Sequence, residues 1–161
     1  MVILISIGYA CQKEDNPTTV SSGAQLTATL TGQPGSTSSI TSTATGSFLG
    51  QLDQSSTVLS YTVTYSPNST PTAVSLDPAT TSTSIASGTS PYSSSILLAG
   101  AFPATTTNPG SGTAITLTSP LSGTVSLSQT QANYLTGGQY QLTIRSVAYP
   151  NGELTGTIQI R

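Results

Sequence analysis

The stretch from Gln139 to Ile160, QYQLTIRSVAYPNGELTGTIQI, decides the fold, with two alternating segments on either side of Pro150-Asn151-Gly152. Proline presets φ for the first turn position, asparagine tolerates the second, and glycine takes the left-handed third. A three-residue loop of this kind is a type I turn closed by a glycine bulge, and it joins two antiparallel strands. The expected register sets Tyr149 opposite Glu153, Ala148 opposite Leu154, Ser146 opposite Gly156, Ile144 opposite Ile158 and Leu142 opposite Ile160. One face is then largely apolar, and the other carries Thr143, Arg145, Val147, Thr155 and Thr157. A slip of one residue would place Ile158 against Thr143 and lose that match.

The same alternation recurs upstream. Ala24, Leu26, Ala28 and Leu30 share one face, with Gln25, Thr27, Thr29 and Thr31 on the other. Residues 45–52 and 58–65 read as strands joined by a turn at Asp53–Ser56, with Leu59, Tyr61, Val63 and Tyr65 on one face. Shorter strands are expected over 73–77, 95–101, 113–118 and 123–127, and loops over 67–71, 80–91 and 102–112. Residues 128–135 are the one good helix candidate, with Ser128 and Gln131 spaced as a capping box and Gly137-Gly138 ending the element. This pattern predicts an all-β fold over residues 24–161: a Greek-key-like antiparallel β-sandwich, or a related barrel, with one short helix near 128–135.

Composition narrows the chemistry. Charged residues make up 5% of the 161, the formal charge is −2, and there are three basic residues, one cysteine, no histidine and no tryptophan. So few cations cannot grip a phosphate backbone, which excludes a nucleic-acid partner. One cysteine forms no internal disulfide and, without histidine, no thiolate–imidazole metal cluster. A Ser-His-Asp or Cys-His nucleophile system is equally excluded. No cofactor or metal site is expected.

The beginning of the chain reads as an address. Residues 1–10 are a short apolar run ending at Ala10, followed by Cys11 and then Gln12-Lys13-Glu14-Asp15. Ten residues are too few to span a bilayer, and a buried first strand is the plain alternative. The run resembles a lipoprotein signal peptide lacking its basic start, with cleavage before Cys11 and the lipid carried on Cys11. Gly8 and Tyr9 depart from the usual residues before such a cysteine. Gln12, Lys13, Glu14 and Asp15 resemble the export signal that sends Bacteroidota lipoproteins to the outer face of the outer membrane. Residues 11–23 then form the lipidated cysteine and a flexible tether. This resemblance implies an outer-membrane protein, lipid-anchored and facing the cell exterior.

The body of the chain resembles the CHRD (chordin-type) domain over most of residues 24–160. The resemblance is carried by the alternating strand from Ala24, by Gly46 to Tyr65, by Gly123 to Leu135, and above all by Pro150-Asn151-Gly152-Glu153-Leu154-Thr155-Gly156, which is similar to the family's P-x-G-E-I-R-G. Many members carry H-x-H before G-P-A, and N-x-H-T in the penultimate strand. Here Val74-Ser75-Leu76-Asp77-Pro78-Ala79 and Thr143-Ile144-Arg145-Ser146 stand in those places. Val74, Leu76 and Arg145 are thus expected where the family has three histidines, and any metal role of those histidines is not carried over.

The remaining candidates have plain competing readings. Glu153 is the one carboxylate in a recognisable motif, read either as a ligand contact or as a group that caps the hairpin or pairs with nearby backbone groups. Arg145 is read as a ligand contact or a solvated strand charge; it lies about 13 Å along the strand from Tyr149, Glu153's expected partner. Tyr149 completes that possible contact set. Asp53 and Asp77 border predicted turns, where aspartate is a common turn former. An Asp53–Asp77 or Asp77–Glu153 pair facing one cleft would instead suit a glycan hydrolase. Tyr61, Tyr65, Tyr92, Tyr134, Tyr140 and Tyr149 would form a sugar-stacking platform if exposed, and half-buried core otherwise.

These readings predict a non-catalytic cell-surface lipoprotein, a binding or structural module that contacts an extracellular protein or polysaccharide. A carboxylate-dependent glycan hydrolase is the enzymatic alternative. A passive surface-coat protein, with no saturable partner, is the third.

Overall fold

The computed structural model describes residues 23–33, 42–53, 55, 57–79, 95–101 and 117–161. The expected signal peptide, Cys11, Gln12 to Asp15 and the tether up to Ser22 lie outside the described residues, as do the loops expected over 80–91 and 102–112. Of the strand expected over 113–118, only Leu117 and Thr118 are described, and neither is in a strand.

Nine strands and one helix are described: β1 (Gln25–Gly32), β2 (Thr45–Leu52), β3 (Val58–Ser66), β4 (Pro71–Pro78), β5 (Ile96–Gly100), β6 (Leu121–Ser126), α1 (Gln129–Thr136), β7 (Tyr140–Ser146), β8 (Leu154–Thr157) and β9 (Gln159–Ile160). All strand pairs are antiparallel and belong to one sheet, ordered β5-β4-β7-β8-β1-β2-β3-β6, with β9 also pairing β1. The all-β antiparallel class with one short helix holds. The layers expected of a sandwich are supplied by a single sheet that curls back on itself, toward a barrel.

Alternation drives that curl, because the apolar positions must all meet on one side. Leu26, Ala28 and Leu30 of β1, Phe48 and Leu52 of β2, Leu59, Tyr61, Val63 and Tyr65 of β3, Val74 and Leu76 of β4 and Leu142 and Ile144 of β7 form one buried core. The β-branched threonines between them suit the opposite, pleated face.

Two devices bring the edge strands β5 and β6 together. Val74 pairs with Ala99 and Ser75 with Leu97, so Leu98 is the extra residue of a bulge in β5. Its carbonyl accepts the Tyr61 hydroxyl proton at 2.9 Å. Tyr61 lies on β3 and is paired with Gly123 of β6, so its ring must cross β6 to reach β5. A Cβ on Gly123 would stand 2.7 Å from the Tyr61 hydroxyl oxygen, which explains glycine there. Burial raises the Tyr61 pKa, keeping the phenol a donor.

At one end of the barrel, α1 carries the chain from β6 to β7 and lays Ala132 and Leu135 into the core. Its capping box forms as expected: Gln131 N–H donates to Ser128 Oγ at 3.2 Å, and Ser128 N–H donates to Gln131 Oε1 at 2.8 Å. Gly137 N–H closes the helix on the Asn133 carbonyl at 2.9 Å.

The closing hairpin forms, but not in the expected register. Ile144 faces Leu154, Leu142 faces Gly156 and Gln141 faces Thr157. Each β7 residue therefore meets a partner four positions earlier than expected, Leu154 instead of Ile158 for Ile144. A shift by an even number keeps the parity, so the apolar faces still coincide. Residues 147–153 become a longer connection instead of a three-residue loop. At its start Ser146, the last residue of β7, and Tyr149 exchange main-chain hydrogen bonds, and Gly152 N–H donates to the Tyr149 carbonyl at 3.1 Å. The connection docks on the β3–β4 loop, Val147 N–H to the Thr70 carbonyl at 3.0 Å and Ala148 N–H to Ser69 Oγ at 3.2 Å. Those tertiary bonds outweigh the local Pro-Asn-Gly preference.

Truncating the fully buried Phe48 to alanine is expected to cost about 3–5 kcal/mol, and Tyr61→Phe about 1 kcal/mol through the stranded Leu98 carbonyl. Urea unfolding of both variants checks these values. A neutral Tyr61→Phe would mean that the bond does not close the sheet.

Candidate functional site

Strands β4 and β7 are buried on both faces, unlike their neighbours. Their inner face is apolar; their outer face carries Ala73, Ser75, Asp77, Thr143 and Arg145. Arg145 extends along the sheet past Thr143, donating from one guanidinium nitrogen to Ser75 Oγ at 2.6 Å and from the other to Asp77 Oδ2 at 2.6 Å. Ser75 Oγ–H in turn donates to Asp77 Oδ1 at 2.9 Å. Asp77 is therefore a strand residue in a buried ion pair, not a turn former, and Arg145 is not a solvated charge. Val74, Leu76 and Arg145, the three positions where the resemblance leads one to expect histidines, do not share a face. Val74 and Leu76 point into the core, and the residues beside Arg145 are Ser75 and Asp77.

Glu153 is 0% exposed, at the other end of β7 from the helix. Its Oε1 accepts from Asn68 N–H, and from Ser42 Oγ–H at 3.3 Å. Its main chain donates to the Ile144 carbonyl and accepts from Gln33 N–H, both at 2.8 Å. Asn68 Nδ2 reaches Ser42 Oγ and Thr43 Oγ1, each at 3.1 Å. One residue thus ties together the ends of the β1–β2, β3–β4 and β7–β8 connections. Glu153 Oε2 has no hydrogen-bond partner.

Asp53 turns β2 into β3. Its carboxylate accepts from the Ser55 hydroxyl, and from Thr57 and Val58 N–H at 2.8 and 2.9 Å. These bonds, Ser55 first and then Val58, hold its pKa below the ordinary aspartate value. The three described carboxylates do not converge. Asp53 caps a hairpin, Asp77 pairs with Arg145, and Glu153 staples connections at the end of β7 opposite to Asp77's partner Gln141. Among the described residues, no three His, Cys, Asp or Glu side chains gather to hold a metal ion.

Of the residues expected to contact a ligand, Arg145 and Glu153 are buried, and Tyr149 is half-buried in the β7–β8 connection. Tyr61, Tyr65 and Tyr140 are core residues with pKa values raised by burial, and Tyr134 alone among the described tyrosines is exposed, at 49%. Tyr92 lies outside the described residues. No tyrosine platform forms among those described.

Exposed polar groups concentrate elsewhere, on the outer face of β1, β2, β3 and β6. A groove of about 580 Å³ there is lined by Gln25, Gln51, Ser60, Thr62, Ser122 and Thr124, with Leu49 and Arg161. The polar alternation of each strand is visible in the sequence. Which strands stand side by side is not, and the groove exists only through that order.

Replacing Arg145 by methionine is expected to cost about 3–5 kcal/mol by stranding the Asp77 carboxylate, while the Asp77→Leu/Arg145→Met double variant recovers most of the loss. Denaturant unfolding of the two variants checks this. A double variant no more stable than the single one would contradict the buried pair.

The model of the CHRD domain matches residues 26–158. No curated protein and no solved structure matches the chain.

Proposed function

The chain belongs to the CHRD family, and from that premise we propose that it is a non-catalytic binding or structural module, displayed outside the cell, that meets an extracellular protein or polysaccharide through one sheet face. The observation that carries this reading is how the polar residues are divided. The described carboxylates are spent on folding bonds, whereas the hydroxyls and amides of β1, β2, β3 and β6 stand in solvent around an open groove. A carboxylate-dependent glycan hydrolase needs two carboxyl groups facing one cleft, and Asp53, Asp77 and Glu153 sit on separate structural duties. The module differs from a passive coat in having a saturable partner.

Display rests on the first residues of the chain. In this proposal Cys11 carries lipid, Gln12 to Asp15 direct the protein to the outer face of the outer membrane, and the following residues tether the domain. Protease shaving of intact cells is expected to remove the wild-type domain and to spare a Cys11→Ala variant. Protection of the wild type until the outer membrane is permeabilised would place the domain in the periplasm instead. The purified domain is expected to bind the extracellular fraction of the producing cells saturably; strictly non-saturable binding would favour the coat.

A further inference from the structure

Strand register orders the outer face of β1, β2, β3 and β6 into rows. Gln25, Gln51, Ser60 and Thr124 form one row across the four strands, and Thr27, Leu49, Thr62 and Ser122 form the next. All but Thr27 line the groove. No acidic side chain lines it, and its one cationic side chain, Arg161, belongs to the segment that bonds to the β1 end, Arg161 N–H donating to the Gln25 carbonyl at 2.9 Å.

The chemistry of these rows selects among occupants. Each glutamine, serine and threonine both donates and accepts, so the groove suits a partner rich in groups that do the same. A β-strand peptide binds a free sheet edge, whereas these strands already pair on both sides except at β6. An apolar ligand would find one exposed aliphatic side chain, Leu49. A polyanion would meet a protein of net charge −2 and a groove with one guanidinium. What remains is an uncharged polymer of hydroxyl groups. Neighbouring strands stand about 4.8 Å apart, close to the length of one sugar ring in an extended glycan. A glycan lying across the strands would thus set successive rings over β1, β2, β3 and β6. Leu49 would sit beneath the apolar face of one ring.

We propose that this groove holds a strand of uncharged polysaccharide running across β1, β2, β3 and β6. The inference rests on the binding-module reading above and names the class of partner. The geometry also explains the low charge of this face: an ionised side chain among the rows would have to be desolvated against neutral hydroxyls.

Affinity electrophoresis of the full chain through gels containing hydroxyethyl cellulose, mixed-linkage β-glucan or dextran tests the inference, with polygalacturonate as the acidic comparison. At least one neutral polymer is expected to retard the protein more than polygalacturonate does. Gln51→Ala combined with Thr62→Arg is expected to weaken that retardation at least tenfold. Ser47→Arg, on the same face but outside the groove, leaves it unchanged; unaltered melting temperatures show that both variants fold. Retardation by no neutral polymer, or equal retardation of the groove variant, overturns the inference. If the groove variant instead loses saturable binding to an extracellular fraction whose activity protease destroys, the partner is a protein, and the module stands without the glycan. Absence of saturable binding to either kind of material removes both readings.

Discussion

The sheet depends most on the junction it can least support through its own ladders. Strands β4, β7 and β8 meet β1 and its neighbours through two paired positions between β1 and β8, Thr31 with Thr155 and Gly32 with Leu154, and two more between β1 and β9. Glu153 sits immediately beside that junction. Its buried carboxylate and main chain bind Ser42, Asn68, Gln33 and Ile144, so the connections on both sides of the junction share one anchor. A buried carboxyl group is costly unless it is hydrogen-bonded. The motif Pro-Asn-Gly-Glu therefore matters less for its turn than for the acid that follows it.

The same principle, polar groups placed where the sheet would otherwise part, recurs at the other weak places. Tyr61 crosses Gly123 to the bulged Leu98 carbonyl and draws the two edge strands together. Arg145 and Asp77 satisfy one another on the outer face of β4 and β7, with Ser75 completing the pair. Asp53 closes the β2–β3 turn. With the charges so committed, the exposed side of β1, β2, β3 and β6 is left almost wholly to neutral hydroxyls and amides.

Much of this was legible in the residues. The bounds of β2 and the inward set of β3 follow from alternation alone, and Ser128 with Gln131 marks the helix start because capping is a local bond. Features that join distant segments were not legible. Pro150-Asn151-Gly152 signals a turn, yet the strand ends are set by Glu153 and by contacts to residues 68–70, which no local pattern encodes. Asp77 next to Pro78 looks like a turn residue until β4 is placed against β7, and only that pairing brings it to Arg145. The groove is hidden for the same reason: Gln25 and Thr124 are ordinary polar positions until four strands stand in order.

The most direct test of this account is native-state hydrogen exchange on the wild type and a Glu153→Ala variant. The account predicts that the Gln33, Ser42 and Asn68 amides, in two connections remote in sequence from Glu153, lose protection together, while the β2–β3 ladder keeps its own. Loss confined to amides next to residue 153, or a uniform loss that includes β2 and β3, would contradict it.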